Sequence, residues 1–113
     1  RLMNVVGPSF AKEIFFTARQ FDAEEARMMG LVNRVVPDAE LESYVKNYAE
    51  TIAGNAPLTV GSIKLIVGEI LKDESERDID AAAASVKRCF DSKDYIEGRT
   101  AFMEKRKPAF TGQ

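Results

Sequence analysis

The stretch DSKDYIEGRTAFMEKRKPAF at residues 91–110 decides the fold, because it predicts one complete helix with a start and an end. Asp91 and Ser92 belong to the residue types that cap the free amide groups of a first helical turn. Pro108 lacks the amide hydrogen that a helix interior requires, so the helix must end before it. Four large apolar side chains lie between these two signals, namely Tyr95, Ile96, Phe102 and Met103.

The first third of the chain predicts two shorter helices. The segment Gly7-Pro8-Ser9 is typical of a helix entry, because proline presets φ and serine can cap free amides, and the helix should continue to about residue 16. Asp22 and Glu25 have the spacing of a capping box, in which each side chain accepts a backbone hydrogen of the other. Gly30 favours the left-handed turn that ends this second helix.

Apolar residues at helical spacing predict three more helices between residues 38 and 90. Their stripes are Leu41, Val45, Tyr48 and Ile52, then Ile63, Ile66, Val67, Ile70 and Leu71, then Ile79, Ala82, Ala83, Val86 and Phe90. We expect the second stripe to be buried, and the polar residues 72–75 to separate it from the third. Residues 31–36 form either a short strand or an extended connector. The sequence therefore predicts a mainly α chain with at most one short strand near residues 31–36.

Composition limits the possible functions of this chain. Its 113 residues correspond to one domain, and its net charge of −2, from 16 basic and 18 acidic residues, does not favour nucleic acid or an anionic membrane as partner. No apolar run approaches the roughly 20 residues of a membrane span. The chain begins with Arg1 instead of Met, so we expect it to be a piece of something longer.

No catalytic residue and no metal ligand set can be assigned from the residues alone. The chain has no histidine, which removes the commonest general base and metal ligand. Glu24 and Glu25 are adjacent in a first helical turn, where they complement the helix dipole and point apart. Cys89 is the only cysteine and is interpreted as a buried, inert thiol, because no histidine is present to activate it.

The basic group at the C-terminal end allows two interpretations. Lys105, Arg106 and Lys107 lie where cations complement the negative end of a helix dipole, an effect of about 0.3–1 kcal/mol each. Alternatively they form a phosphate site, because lysine and arginine suit phosphate oxygens, while Phe102 or Phe110 covers a flat purine. Phe102 and Lys105 are three residues apart and share a helix face.

Three segments carry a resemblance to a known family. ARQFDAEEARMMGLVNRVVP (residues 18–37), GNAPLTVGSIK (residues 54–64) and DSKDYIEGRTAFMEKRKPAF (residues 91–110) resemble, in this order, the C-terminal third of the enoyl-CoA hydratase/isomerase, or crotonase, superfamily. The resemblance implies a single helical domain over residues 1–113. Within it, residues 1–37 would be the tail of the family's core spiral and residues 38–113 a helical oligomerisation, or trimerisation, region.

The resemblance also implies which functions lie outside this chain. The family's ββα spiral supplies an oxyanion hole and the catalytic acids, and both belong to sequence upstream of residue 1. No catalytic residue is therefore carried over, and the chain alone is expected to be inactive. The implied ligand is a coenzyme A thioester as substrate, with no tightly bound cofactor, no metal, no nucleic acid and no membrane partner.

Binding and assembly are the properties that the resemblance carries onto this chain. In the motif AFxEKRKPxF, the positions that reach coenzyme A fall on Phe102 and Lys105, while Lys107 and Phe110 also match and Arg106 is left as a solvated cation. The family assembles as trimers, often paired as hexamers, and the chain alone is expected to oligomerise or to exchange helices with a second copy in a dimer. Apolar faces after Asp38 would then be subunit interface. The expected location is the cytoplasm, or the mitochondrial matrix in a eukaryote.

The predicted parent enzyme adds water across the 2,3-double bond of an acyl-CoA thioester, which makes it a hydro-lyase. Two alternatives stay open. The chain is a non-catalytic helical oligomerisation module without affinity for coenzyme A, or the parent is an isomerase, dehalogenase or thioester hydrolase of the same family. The second choice depends on acidic residues that lie outside this chain.

Overall fold

The fold is entirely helical in a computed structural model that describes all residues from Arg1 to Gln113. The α-helices are α1 (Leu2–Thr17), α2 (Ala23–Met28), α3 (Asp38–Ala53), α4 (Pro57–Ile70), α5 (Ile79–Phe90) and α6 (Lys93–Glu104), with a 3₁₀ turn at Glu74–Glu76. Residues 31–36 form a connector without strand pairing, so the mainly α fold class is confirmed. None of these helices has the length and apolar content needed to cross a bilayer.

Contacts divide the chain into two compact units, Arg1–Val45 and Lys46–Gln113. The boundary falls inside α3, about two helical turns after its start. Each unit is described by itself below. The single-domain assignment and its division after residue 37 stay predictions.

In the first unit, a kink at Gly7 interrupts α1. Gly7 has φ 76° and ψ 168°, a backbone conformation that glycine adopts without steric cost, and Pro8 then restarts the helix. The helix therefore restarts at the predicted Gly7–Pro8 entry, but α1 already begins at Leu2, and the predicted cap by Ser9 is wrong because its side chain makes no hydrogen bond. Both parts of α1 and the residues that flank α2 contribute to a small core, formed by Val6, Ala11 and Met29 with Leu2, Phe10, Ile14 and Phe21 around it.

The capping box of α2 is confirmed. The Glu25 amide donates to the Asp22 carboxylate at 2.8 Å, and the Asp22 amide donates to the Glu25 carboxylate at 3.0 Å. Gly30 follows with φ 78°, the left-handed turn predicted for it. Arg19 also binds Glu25 at 2.7 Å, and this contact, more than the Asp22 amide, lowers the pKa of the Glu25 carboxyl.

In the second unit, α4 and α5 meet through a buried pair of hydroxyl groups. Ser62 and Ser85 are 4% and 5% exposed, and their Oγ atoms lie 2.8 Å apart. Ser85 also donates to the carbonyl of Ala82 at 2.7 Å. Because Ser85 has a single hydroxyl hydrogen, Ser62 must be the donor between the two serines. Both buried groups are thereby satisfied, as buried polar groups generally are.

The predicted buried stripe of α4 is wrong. Ile63, Val67 and Ile70 are half or more exposed, whereas Ser62 and the half-buried Ile66 lie on the side that meets α5. The reason is that a single neighbouring helix covers only one side of α4. The stripe of α3 is also exposed along its length, with no buried residue in the helix. The chain therefore leaves large apolar faces uncovered.

The bond between the two serines generates an asymmetric prediction. Ser85→Ala leaves the buried Ser62 hydroxyl without an acceptor and should lower the free energy of unfolding by about 1–3 kcal/mol. Ser62→Ala should cost clearly less, because Ser85 keeps its own bond to Ala82. Urea unfolding followed by circular dichroism measures both variants. Equal losses, or a larger loss in Ser62→Ala, would contradict this assignment of donor and acceptor.

Candidate binding site at the C-terminal end of α6

Helix α6 begins where the sequence predicts and ends earlier. The Ser92 hydroxyl accepts from the amide of Tyr95 at 3.1 Å, which confirms it as the cap. The last helical residue is Glu104, so the prediction that Pro108 ends the helix is wrong by one turn. The helix ends because Lys105 adopts a left-handed conformation with φ 55° and ψ 37°.

A Schellman-type cap holds Lys105 in this conformation. The Arg106 amide donates to the carbonyl of Ala101 at 3.0 Å, and the Lys105 amide donates to the carbonyl of Phe102 at 3.3 Å. Glycine normally occupies such a position, because a side chain there costs about 1–2 kcal/mol in steric strain. Lysine thus stands where glycine would be more stable.

The three cations of the tail have different environments. The Arg106 guanidinium binds both carboxylate oxygens of Glu97, at 2.6 and 2.9 Å, and the Glu104 carboxylate at 2.6 Å. The expectation that Arg106 is a solvated cation is therefore wrong, because two carboxylates occupy its donors and raise its pKa. The ammonium groups of Lys105 and Lys107 have no ion-pair partner, which leaves them available to an external anion.

Glu97 joins the helix to the chain that follows it. Besides binding Arg106, its carboxylate accepts from the backbone amide of Ala109 at 2.8 Å. The Arg106 hydrogen bonds, followed by that from Ala109, lower the pKa of the Glu97 carboxyl to about 2. The carboxylate is therefore ionised throughout the pH range in which the chain would function.

Asp94 makes a second junction one turn earlier on α6. Its side chain is 3% exposed and accepts from the amides of Thr111 and Gly112 at 2.7 and 2.8 Å. The Thr111 hydroxyl lies 3.4 Å from the same carboxylate, and the Asp94 amide donates to the carbonyl of Gln113 at 3.2 Å. The last residues of the chain are thereby fastened to the first turn of α6.

Sequence reasoning missed both of these carboxylates. The available signal was their spacing of three residues on one helix, together with a tail long enough to fold back after Pro108. That spacing places Asp94 and Glu97 on one helix face, but only the folded tail shows which amides they bind.

A groove of about 590 Å³ lies between α4, α5 and α6. Its lining is largely apolar and includes Ile63, Val86, Phe102, Met103 and Phe110. Phe102 is 82% exposed, so most of its ring is free to contact another molecule. Lys105 lies beyond the lining, at the helix end. The binding role assigned to Phe102 and Lys105 stays a prediction.

Cys89 also lines this groove. Its thiol-bearing side chain is half-buried, which corrects the expectation of a fully buried cysteine. The neighbouring Phe90 ring is more than half exposed and meets the Tyr95 ring edge-on at 5.1 Å between centroids. These contacts form an apolar wall, and nothing in them activates the thiol.

Comparison with known sequences places the whole chain in one family. The sequence model described as enoyl-CoA hydratase/isomerase matches residues 1–113. The chain is 39% identical over 110 residues to a crotonyl-CoA hydratase of Syntrophomonas wolfei, covering 97% of this chain and 42% of that protein. It is 36% identical over 107 residues to a short-chain-enoyl-CoA hydratase of Clostridium acetobutylicum, covering 95% and 41%.

Solved structures agree with these sequence matches. An enoyl-CoA hydratase/carnithine racemase from Magnetospirillum magneticum superposes with a TM-score of 0.87 at 38% identity, covering 99% of this chain and 41% of that one. An enoyl-CoA hydratase from Bacillus anthracis gives 0.81 at 34% identity, covering 99% and 43%. The chain thus spans less than half the length of the relatives that it matches.

The low pKa of Glu97 predicts a specific pH dependence of stability. A carboxyl whose pKa is lowered in the folded chain contributes stability that is complete above its unfolded pKa of about 4.3. The contribution disappears as pH falls through the folded value of about 2. The difference in urea midpoint between the native chain and Glu97→Gln should therefore shrink on going from pH 5 to pH 2.

Glu104→Gln is the matched control for this measurement. Glu104 binds the same guanidinium but accepts no backbone amide and is more exposed than Glu97. Its urea midpoint should stay close to that of the native chain at every pH. A gap between the native chain and Glu97→Gln that does not change with pH would contradict the role assigned to Glu97.

Proposed function

Because this chain belongs to the enoyl-CoA hydratase/isomerase family, we propose that it is the C-terminal helical part of a hydratase of that family. In this proposal it serves coenzyme A binding and subunit assembly. The whole protein adds water across the 2,3-double bond of an acyl-CoA thioester. The hydratase names of the two relatives described above favour this reaction over the isomerase, dehalogenase and thioester hydrolase alternatives.

The geometry of Lys105 is the observation that carries the proposal of coenzyme A binding. Its ammonium group has no partner within the chain, and its backbone holds a conformation that costs energy for any residue except glycine. Strained residues of this kind are enriched at ligand sites, although Ala18 at the end of α1 is also left-handed, so the unpaired ammonium group is the stronger argument. A lysine at this place is a mobile point charge suited to the phosphates of coenzyme A.

The exposed ring of Phe102 supplies the apolar half of the same site. The backbone carbonyl of Phe102 accepts from the Lys105 amide at 3.3 Å. The backbones of the two residues are therefore neighbours, and the aromatic ring and the ammonium group extend from the same turn. An aromatic face of this kind covers a flat purine, while the cation binds phosphate. Arg106 is excluded from the site, because Glu97 and Glu104 already occupy its donors.

The proposal assigns no catalytic step to this chain. By resemblance to the family, the oxyanion hole and the acids that move protons lie in sequence upstream of residue 1. The oxyanion hole would stabilise an enolate-like intermediate, an electrostatic effect of about 3–4 kcal/mol for one donor. The isolated chain should therefore bind ligand without turning it over.

The exposed stripe of α3 favours a second role, in assembly with further copies of the chain. Leu41, Val45 and Ile52 are each about half exposed and follow one face of the helix. Apolar patches of this kind mark protein interfaces. In the whole protein we propose a trimer or hexamer, and for this chain alone a helix-exchanged dimer. An oligomerisation module without coenzyme A affinity is the competing function.

A titration with coenzyme A tests the binding proposal. By isothermal calorimetry the chain should bind coenzyme A weakly, with lower affinity in higher salt because the contact is ionic. Lys105→Ala should abolish the binding, whereas the control Lys46→Ala, on the exposed surface of α3, should leave it unchanged.

Lys105→Gly separates this binding role from folding. It should raise the free energy of unfolding by about 1 kcal/mol, because glycine tolerates the left-handed conformation, and still abolish binding. If the native chain does not bind coenzyme A, or if Lys105→Ala binds as well as the native chain, the competing assembly function stands alone.

Sedimentation tests the assembly proposal separately. The chain should associate as its concentration rises, because association covers the apolar face of α3. Val45→Lys places a charge within this stripe and should shift the equilibrium toward monomer. Lys46→Glu, beside it on α3 and outside the stripe, is the control and should not. A chain that stays monomeric at every concentration would refute the assembly role.

A further inference from the structure

The chain reverses after Glu104, and its last nine residues return along α6. This return segment, residues 105–113, is held at two places by carboxylates of the helix. Glu97 binds the Arg106 side chain and the Ala109 amide, and Asp94 binds the amides of Thr111 and Gly112. The two anchors lie one turn apart on a single helix face.

Phe110 lies between the two anchored positions. Its ring approaches Gly98 of α6, where a methyl group added to the glycine would lie 3.5 Å from the ring, an ordinary contact distance. The ring is half-buried and forms part of the groove wall. The position of Phe110 therefore follows from its two neighbours in sequence, because Ala109 binds Glu97 and Thr111 binds Asp94.

Asp94 is unusual among the acids of this chain. It is almost completely buried, and hydrogen bonds from the return segment are all that compensate its charge, because no cation pairs with it. Burial of a carboxylate is costly unless it is hydrogen-bonded. Such a residue constrains the segment, because the segment supplies all the hydrogen bonds that the Asp94 carboxylate accepts.

We propose that Asp94 and Glu97 are positioning residues for coenzyme A, which hold Lys105 at the helix end and Phe110 against the groove. The inference rests on the proposed function of this site. A free segment of nine residues would lose about 1–2 kcal/mol of backbone entropy per residue on becoming ordered around a ligand. The two carboxylates order the segment before the ligand arrives, and such preorganisation raises affinity.

The sign of the effect distinguishes positioning from plain electrostatics. Removing a negative charge near a phosphate site should strengthen the binding of an anion, because repulsion falls. If Glu97 and Asp94 position the site, their removal should instead weaken binding. Glu97→Gln and Asp94→Asn keep an oxygen acceptor and the side-chain size, which makes them the appropriate variants.

The experiment measures coenzyme A affinity of the 113-residue chain by calorimetry. Glu97→Gln and Asp94→Asn should each raise the dissociation constant by about two- to tenfold, as expected when one or two ordered groups become mobile. The control Glu104→Gln changes the charge equally but anchors no backbone amide, so its affinity should be unchanged or higher. Amide hydrogen exchange at Ala109, Thr111 and Gly112 should accelerate only in the first two variants.

The outcomes separate the positioning role of the two carboxylates from the binding of coenzyme A itself. If the native chain binds coenzyme A but Glu97→Gln binds as tightly or more tightly, the positioning role is refuted and the binding site stands. If the native chain does not bind coenzyme A, both proposals fail. Should Asp94→Asn fail to fold by circular dichroism, Glu97→Gln alone decides, because the Glu97 side chain is 24% exposed whereas Asp94 is 3% exposed.

Discussion

The reversal of the chain after Glu104 is the constraint on which the candidate site depends. It requires a left-handed residue, and lysine occupies that position at a steric cost. The cost is offset by the backbone bond from Arg106 to Ala101 and by the double contact between the Arg106 guanidinium and Glu97. The basic triplet at residues 105–107 is thereby divided, because Arg106 pairs with Glu97 and Glu104 while the two lysines have no ion-pair partner.

Polar contacts specify the packing of this chain, while much of its apolar surface has no covering. Hydroxyl groups join α4 to α5, and carboxylates fasten the return segment to α6. By contrast, few hydrophobic side chains are buried in either unit. In the crotonyl-CoA hydratase relative, more than half of the sequence lies outside the part that this chain matches.

Local signals in the sequence predicted the helices well, because capping is a short-range interaction. The box formed by Asp22 and Glu25 and the Ser92 cap before α6 both depend on residues within one turn. Burial was predicted less well, because the stripe of α4 shows only which side is apolar and not which partner covers it. The end of α6 was also predicted at the wrong residue, because the sequence does not show the left-handed conformation of Lys105.

A proline shows only the last point at which a helix must have ended. In this chain α6 ends earlier, because Lys105 is left-handed and the amides of Lys105 and Arg106 bind the carbonyls of Phe102 and Ala101. The candidate residues Phe102 and Lys105 were found through the family resemblance and the basic triplet. Asp94 and Glu97 were missed because they bind backbone amides 12 to 18 residues away. Nearly every residue has a backbone amide, so the residue types in the sequence do not indicate which amide a carboxylate binds.

The hydroxyl pair between α4 and α5 also fixes the register of two helices that would otherwise slide. Apolar surfaces alone discriminate poorly between neighbouring alignments, since a shift by one turn exchanges one aliphatic contact for another. Here such a shift would leave the buried Ser62 hydroxyl without an acceptor, at about 1–3 kcal/mol, while Ser85 keeps its bond to the Ala82 carbonyl. Ser62 and Ser85 therefore favour one alignment of the two helices, and both helices line the groove.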